Sequence, residues 1–139
     1  MAPPDVSQAD VQVILDQYAA TNERDFERVM SLYADDVELI VREPYLLAGR
    51  FKGRKAVGDW FGDWFATFDR DLSFEVTECR ELPNGDVLLV AGNHARGRAS
   101  GVELEGTVVW VYRVADGKIT RVEGYPTREA ALEAAGVAE

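Results

Sequence analysis

The stretch Tyr33-Ala34-Asp35-Asp36-Val37-Glu38-Leu39-Ile40-Val41-Arg42-Glu43-Pro44 contains a change of pattern at its two aspartates. Before them, apolar residues recur at helical spacing, whereas Val37, Leu39 and Val41 recur at every second position, as in a half-buried strand. Asp side chains commonly hydrogen-bond the backbone of turns. The pattern therefore predicts that a helix ends in a turn at Asp35-Asp36 and that a strand follows with Val37, Leu39 and Val41 facing inward.

Apolar spacing and capping residues predict two helices before this strand and one after it. The first helix runs from about Gln8 to Thr21, and Asp25 caps a second, short helix. A broad loop from about Pro44 to Gly53 follows the strand, and the third helix starts after it with a wide apolar stripe. The members of this stripe are Val57, Trp60, Phe61, Trp64, Phe65 and Phe68.

Four further strands are predicted in the second half of the chain. Turn signals at Asn84-Gly85, Ser100-Gly101 and Asp116-Gly117 separate segments of period two, which is typical of consecutive antiparallel hairpins. The predicted strands are about Leu72 to Leu82, Asp86 to Arg98, Glu103 to Ala115 and Lys118 to Tyr125. Thr127 caps a final helix from Arg128 to Ala135. Helices that bury their stripes against one face of such a sheet make an α+β fold.

Length and charge restrict the possible classes of protein. A chain of 139 residues can bury one core and is short for two, so we expect a single domain over residues 1–139 with its core at about 8–136. Fifteen Lys and Arg against 25 Asp and Glu leave a net charge of -10, which makes nucleic acid an unfavourable partner. The single cysteine, Cys79, excludes an intrachain disulfide.

The start of the chain and its hydropathy predict a cytoplasmic location. Met1-Ala2-Pro3-Pro4-Asp5 lacks the charged start and apolar run of a secretory signal. No apolar stretch approaches the roughly 20 residues of a membrane helix. We therefore expect neither export nor a membrane partner.

Four short segments are similar to a known family of cone-shaped proteins. They are Tyr18, Tyr33-Ala34-Asp35-Asp36, Gly53-Arg54-Lys55-Ala56-Val57 and Asp116-Gly117-Lys118-Ile119. On these residues the chain resembles the superfamily of nuclear transport factor 2, the steroid delta-isomerases, scytalone dehydratase, limonene epoxide hydrolase and the SnoaL-like polyketide cyclases. The resemblance covers about residues 8 to 136. It implies a curved antiparallel sheet wrapped around the N-terminal helices, a cystatin-like α+β roll with a short C-terminal helix.

Glu43 is the candidate catalytic carboxylate. It has the same strand parity as Val41, which would place it at the mouth of an apolar cavity. In the steroid isomerases a catalytic aspartate directly precedes a proline at the end of this strand, as Glu43 precedes Pro44 here. Burial among tryptophans would raise the pKa of the carboxyl group and suit it to proton transfer near neutral pH. The alternative is a solvated loop acid beside Arg42 and Arg50.

The resemblance also gives Tyr18 and Asn93 candidate catalytic roles. Tyr18 matches the tyrosine that polarises the substrate carbonyl in the steroid isomerases, and a buried phenol needs a hydrogen-bond partner. Asn93 is expected to face inward, where its amide could orient a substrate oxygen; a structural role is the alternative for both. Two family acids are replaced, since Trp110 and Gly124 stand at their positions. This pattern disfavours true steroid isomerisation.

Two functions remain open from the sequence. The expected substrate-binding wall consists of Trp60, Trp64, Phe68, Trp110 and Val41. His94 is the only histidine and has no neighbouring ligands, so we expect neither a metal nor another cofactor. The chain is then either a cofactor-free isomerase or cyclase that moves a proton on an apolar, carbonyl-containing metabolite, or a non-catalytic domain that binds an apolar small molecule.

A homodimer is expected through the outer face of the sheet. Val109 and Val111 lie among arginines on that face, and such a surface is too apolar to be left in solvent. The resemblance implies dimerisation through the same face.

Overall fold

Four helices and six strands form the part of the chain that a computed structural model describes, which is residues 6–42, 48–67, 73–96 and 103–136. The helices are α1 (Val6–Asn22), α2 (Phe26–Ser31), α3 (Arg54–Thr67) and α4 (Arg128–Ala134). The strands are β1 (Tyr33–Val41), β2 (Gly49–Lys52), β3 (Ser73–Glu81), β4 (Val87–Arg96), β5 (Glu103–Ala115) and β6 (Lys118–Tyr125). The predicted α+β class is confirmed.

The six strands make one curved, unclosed sheet in the order β2-β1-β6-β5-β4-β3. Strands β3 to β6 form the predicted antiparallel meander. Strand β1, the first in the chain, lies parallel to the last strand, β6. Parallel neighbours cannot be joined by a tight hairpin, so β1 reaches this place only through long-range pairing.

The turn predicted at Asp35-Asp36 is wrong. Helix α2 ends at Ser31 with Leu32 as its C-cap, and β1 already begins at Tyr33. Tyr33 pairs with Ile119 of β6, and the register then shifts before Glu38. The two aspartates lie exposed in this irregular segment of the strand, a geometry typical of a β-bulge.

Other local predictions around the first strand are confirmed. Val37, Leu39 and Val41 are at most 3% exposed and belong to the inner core. The side chain of Asp25 accepts a hydrogen bond from the amide of Arg28, at 3.2 Å, and so caps α2 as predicted. These features depend on residues close in sequence, which is why the pattern reveals them.

The broad loop predicted from Pro44 to Gly53 is wrong in its second half. Residues 49–52 form β2, which pairs antiparallel with β1 so that Phe51 lies opposite Leu39. Its sequence, Gly-Arg-Phe-Lys, holds one apolar residue and shows too short a pattern for a strand prediction. Residues 43–47 lie outside the described residues.

Each face of the sheet carries its own core. The inner cluster fills the concave face beneath α1 and α3, and it includes Val87, Leu89, Trp110 and Tyr112. The outer cluster lies on the opposite face beneath α4. It consists of Leu82, Leu88, Val109, Val111, Tyr125, Ala131 and Leu132.

Helix α4 changes the basis of the dimer prediction. The side chain of its N-cap, Thr127, accepts a hydrogen bond from the amide of Ala130 at 3.0 Å, as expected for the final helix. Leu132 packs into the outer cluster with Val109 and Val111, which are only 3% and 7% exposed. The chain thus covers these two valines itself, and their apolar character does not require a second copy.

Candidate functional site

A small, mostly apolar cavity of about 30 Å³ lies inside the cone. Helices α1 and α3 and strands β1, β3, β5 and β6 supply its walls. The lining residues are Gln17, Tyr18, Thr21, Leu39, Trp60, Phe61, Phe74, Trp110, Tyr112 and Val122. Three of the predicted site residues, Tyr18, Trp60 and Trp110, therefore meet at one cavity.

Tyr18 faces a second tyrosine that the sequence reasoning did not single out. The hydroxyl oxygens of Tyr18 and Tyr112 are 2.9 Å apart, and either can be the donor. Burial raises the pKa of Tyr112 well above its ordinary value, and the nearby Tyr18 raises it further. The Tyr112 hydroxyl is therefore neutral at physiological pH, and a phenol hydroxyl can both donate and accept hydrogen bonds. Tyr112 shares the strand parity of Trp110, which is the signal that could have identified it.

Trp110 and Gly124 fit each other in size. They lie directly opposite on β5 and β6, and a Cβ atom added to Gly124 would lie 2.6 Å from Cζ3 of the indole. The ring of Trp110 also makes an edge contact with Trp60, with centroids 6.1 Å apart. The two positions at which the family resemblance expects an acid are thus occupied by Trp110 and Gly124, which pack against each other. An indole occupies the space that either carboxylate side chain would need.

Two buried polar atoms at the inner face have no hydrogen-bond partner among the described residues. They are Oε1 of Gln17, in a residue only 3% exposed, and the hydroxyl of Tyr33, which is fully buried. Burial raises the pKa of Tyr33 well above its ordinary value, so its hydroxyl is neutral. Buried polar groups are normally paired, and unpaired ones are points at which a ligand oxygen can be recognised.

Two other predicted residues lie on the inner face but outside the cavity wall. Asn93 has the strand parity of Leu89 and Ala91 in the inner cluster, and a Cβ atom added to its partner Gly106 would lie 3.0 Å from its Oδ1. Val41 is 3% exposed and belongs to the inner cluster. Neither side chain lines the cavity formed around Tyr18.

Three predicted site residues cannot be placed. Glu43 and Phe68 lie outside the described residues, as does the side chain of Trp64, whose backbone belongs to α3. No acidic side chain lines the cavity around Tyr18 within the described part of the chain.

The acid on β6 serves the opposite face. Glu123 accepts hydrogen bonds from Arg42 at 2.8 Å and from Tyr125 at 2.9 Å, and it forms an ion pair with Arg121 at 2.9 Å. Burial alone would raise the pKa of Glu123, but the hydrogen bonds from Arg42 and Tyr125 outweigh it and lower the pKa. This carboxylate is a structural group of the outer face and has no access to the cavity.

A larger groove adjoins the cavity. It has a volume of about 210 Å³ and lies between α2 and α3, where Phe26, Val29, Met30, Gly58 and Gly62 line it. Thr21 and Phe61 line both this groove and the cavity around Tyr18. A third, more open groove of about 380 Å³ runs past Trp60 beside Asp59 and Asp63. The inner space is thus bordered by grooves on two sides of α3.

Among the side chains that the structure describes, no three His, Cys, Asp or Glu residues lie close enough together to hold a metal ion. Within the same part of the chain, no helix is long and apolar enough to cross a membrane.

Known proteins resemble this chain in sequence and in fold. An uncharacterized protein of Mycobacterium tuberculosis is 29% identical over 125 residues, which cover 90% of this chain and 94% of that protein. Bal32a, from a soil-derived mobile gene cassette, superposes with a TM-score of 0.78 at 18% identity, covering 87% of this chain and 91% of that chain.

Two further solved structures share the fold. A hypothetical protein with a ketosteroid isomerase-like fold from Catenulispora acidiphila has a TM-score of 0.70 at 14% identity, covering 91% of this chain and 93% of that chain. RV0760c from Mycobacterium tuberculosis has a TM-score of 0.71 at 24% identity, covering 87% of this chain and 95% of that chain. The model of the SnoaL-like domain family matches residues 14–122. The chain therefore belongs to the SnoaL-like domain family.

Proposed function

We propose that this chain binds an apolar small molecule that carries an oxygen group, and that the Tyr18–Tyr112 pair orients that oxygen. The observation that carries the proposal is an aromatic cavity in which the two tyrosine hydroxyls lie 2.9 Å apart. Pockets for small molecules are typically apolar with a few polar groups that fix orientation. A phenol hydroxyl can donate a hydrogen bond to a ligand carbonyl or hydroxyl oxygen.

The size of the site favours a compact ligand that extends beyond the cavity. A volume of about 30 Å³ holds only one or two water molecules. The adjoining groove of about 210 Å³ supplies room for a body of two fused rings, because Thr21 and Phe61 border both spaces. Movement of the half-buried Phe61 ring would join them.

Solved relatives support small-molecule binding in this fold. RV0760c was crystallised in complex with estradiol-17beta-hemisuccinate, and the Catenulispora protein in complex with trimethylamine. These ligands belong to those proteins. They support the proposal because the same fold accommodates molecules of different size.

Binding of 2-naphthol, a two-ring phenol, tests the proposal. Isothermal titration calorimetry should give saturable binding with one site per chain, and Tyr18→Phe should weaken it about 5-fold through loss of one hydrogen bond. Tyr125→Phe is the matched control, because the hydroxyl of Tyr125 bonds Glu123 on the outer face. Absence of binding to the unmodified chain, or equal weakening by both variants, would contradict the proposal.

A cofactor-free proton-transfer enzyme is the second candidate. It is favoured by the parity of β1, in which Val41 faces the inner cluster while Arg42 pairs with Glu123 on the outer face. The same alternation predicts the inner side for Glu43. In this reaction the Glu43 carboxylate takes a proton from the carbon next to a carbonyl, and Tyr18 or Asn93 donates a hydrogen bond to the resulting enolate oxygen.

Exchange of the hydrogens next to the carbonyl for deuterium in 2-tetralone, a two-ring ketone, distinguishes the two candidates. An enzyme should accelerate this exchange in D2O, as followed by NMR, and Glu43→Gln should abolish the acceleration with little loss of binding. Glu38→Gln, on β1 beside Arg121, is the control that should leave it unchanged. Binding without accelerated exchange supports the non-catalytic domain.

Homodimerisation and a cytoplasmic location stay predictions. Because α4 covers Val109 and Val111, these valines no longer argue for a dimer, and the dimer prediction rests on the family resemblance. Light scattering at micromolar concentration should give twice the mass of the chain, and a monomeric mass would remove the dimer prediction. Cell fractionation checks the location.

A further inference from the structure

We propose that Gln17 selects ligands whose buried end is a hydroxyl that donates a hydrogen bond. The inference rests on the proposed function and deepens it, because it names the polar group that the cone accepts. Gln17 was not among the residues that the sequence pattern or the family resemblance singled out. The residue nevertheless lines the cavity, and its Oε1 is a buried acceptor that has no hydrogen-bond partner among the described residues.

The placement of Gln17 makes its amide a recognition group. The residue lies on α1 directly before Tyr18, is 3% exposed and lines the cavity. Its backbone carbonyl accepts the hydroxyl hydrogen of Thr21 at 2.8 Å. Its side-chain Oε1 has no hydrogen-bond partner among the described residues. A buried acceptor without a partner destabilises the folded chain, and a donor on the ligand would recover that loss.

The chemistry of the wall separates ligand classes. The Tyr18 and Tyr112 hydroxyls bond each other and can serve a ligand oxygen as donor. The amide of Gln17 has an NH2 donor and an oxygen acceptor, and when Oε1 faces the ligand it favours ligands that have a donor hydrogen over ligands that lack one. An alcohol or phenol satisfies both groups at once, whereas an ether satisfies only the tyrosine pair. A carboxylate would set two acceptors against each other and would also meet a chain of net charge -10.

The helix geometry gives the ligand an orientation. Thr21 lies one turn after Gln17, about 6 Å further along the axis of α1. Because Thr21 and Phe61 border both the cavity and the larger groove, a ligand body in the groove can direct its hydroxyl past Thr21 towards Gln17. The ring system then lies against Phe26, Val29 and Met30, and the hydroxyl end is the buried end.

Paired probes test the inference. By isothermal titration calorimetry, 2-naphthol should bind the unmodified chain about 10-fold more tightly than 2-methoxynaphthalene, which keeps the oxygen but has no donor hydrogen. Gln17→Met keeps the length of the side chain and removes the acceptor, so it should bind the two probes about equally. Gln12→Met is the matched control, because Gln12 is exposed and bonds Asp16. It should keep the 10-fold difference.

Every outcome of this experiment has a distinct meaning. Equal binding of the two probes by the unmodified chain overturns the role of Gln17, and this result does not depend on whether any variant folds. A difference that persists in Gln17→Met and disappears in Tyr18→Phe also overturns it, because the tyrosine would then be the selecting group. Failure of both probes to bind contradicts the proposed function itself.

Discussion

The inner and outer faces of the sheet differ in how their buried polar groups are paired. On the outer face, Asp86 accepts hydrogen bonds from Arg113 at 3.1 and 3.3 Å, and Glu78 accepts them from Arg128 at 2.7 and 3.0 Å. Nε of Arg121 makes no hydrogen bond, but it lies 2.9 Å from the Glu123 carboxylate and forms an ion pair with it. On the inner face, two buried acceptors or donors have no partner among the described residues.

This difference separates a structural surface from a recognition surface. Ion pairs and the cover of α4 satisfy the outer face within the chain itself. The inner face has polar atoms that lower the stability of the folded chain while they are unpaired. A bound ligand would supply their missing hydrogen bonds. The contrast predicts that changes on the outer face affect stability alone, whereas changes on the inner face affect ligand binding as well.

Truncation of one leucine on each face gives the largest expected effect. Leu132→Ala on α4 and Leu39→Ala in the cavity wall remove side chains that are 2% and 0% exposed. Each should lower the free energy of unfolding by about 3 kcal/mol in urea titrations. Only Leu39→Ala should change the affinity for 2-naphthol. A change in affinity caused by Leu132→Ala would break the contrast between the faces.

Gly124→Ala tests the packing of the inner face and should cost about 2 kcal/mol. The added methyl group would lie 2.6 Å from the Trp110 ring, so the indole must move. Gly92→Ala on β4 is the control, because its new methyl group would meet its nearest atom at 3.9 Å. In a chain that already carries Trp110→Leu, Gly124→Ala should cost much less free energy of unfolding than it does in the unmodified chain. Additive losses in this double-mutant cycle would show that the two residues do not share one space.

The same chemical change should have opposite signs on the two faces. Tyr33→Phe removes a buried hydroxyl that has no partner among the described residues and should raise the free energy of unfolding by about 1 kcal/mol. Tyr125→Phe removes a hydroxyl that donates to Glu123 at 2.9 Å and should lower it by about 1 kcal/mol. Urea unfolding measures both. Destabilisation by Tyr33→Phe would mean that its hydroxyl is satisfied.

The smallest expected effect is a pH-dependent one on the outer face. The hydrogen bond from Arg128 lowers the pKa of Glu78 from 4.5 to about 2. Because the pKa is lower in the folded chain, the pair stabilises the protein above pH 4.5 and loses its effect as the pH falls towards 2. Glu78→Gln should cost about 0.5 kcal/mol at neutral pH, since the pair is partly solvated.

The pH dependence is checked by urea unfolding of Glu78→Gln and of Glu75→Gln, an exposed change on the same strand. The difference between the unmodified chain and Glu78→Gln should narrow as the pH falls from 4.5 towards 2. A difference that is independent of pH would show that charge pairing is not its source.

Sequence reasoning succeeded where neighbouring residues decide the structure. The caps at Asp25 and Thr127 and the hairpins of the meander each depend on a few consecutive side chains. It failed at the start of β1 and at β2, because those strands form through pairing with remote partners. Tyr33 finds its place opposite Ile119, and no local signal marks that contact.

The candidate site was predicted in part for the same reason. Tyr18, Trp60 and Trp110 follow from helical spacing, strand parity and the family resemblance, and the structure brings them together. Gln17 was missed although it stands three residues after the buried Ile14, on the side of α1 that faces the core. A polar residue on an apolar helix face is a usable signal for a cavity wall.

The sequence by itself determined the α+β class and the meander, because these depend on residue types and periods along the chain. Only the tertiary structure decided that the indole of Trp110 fills the space above Gly124, that α4 covers the outer valines and that Gln17 keeps an unpaired oxygen. Cavity volume and hydrogen-bond pairing result from residues that are distant in sequence and packed at fixed distances in space. Such distances are set when the curved sheet packs against the helices.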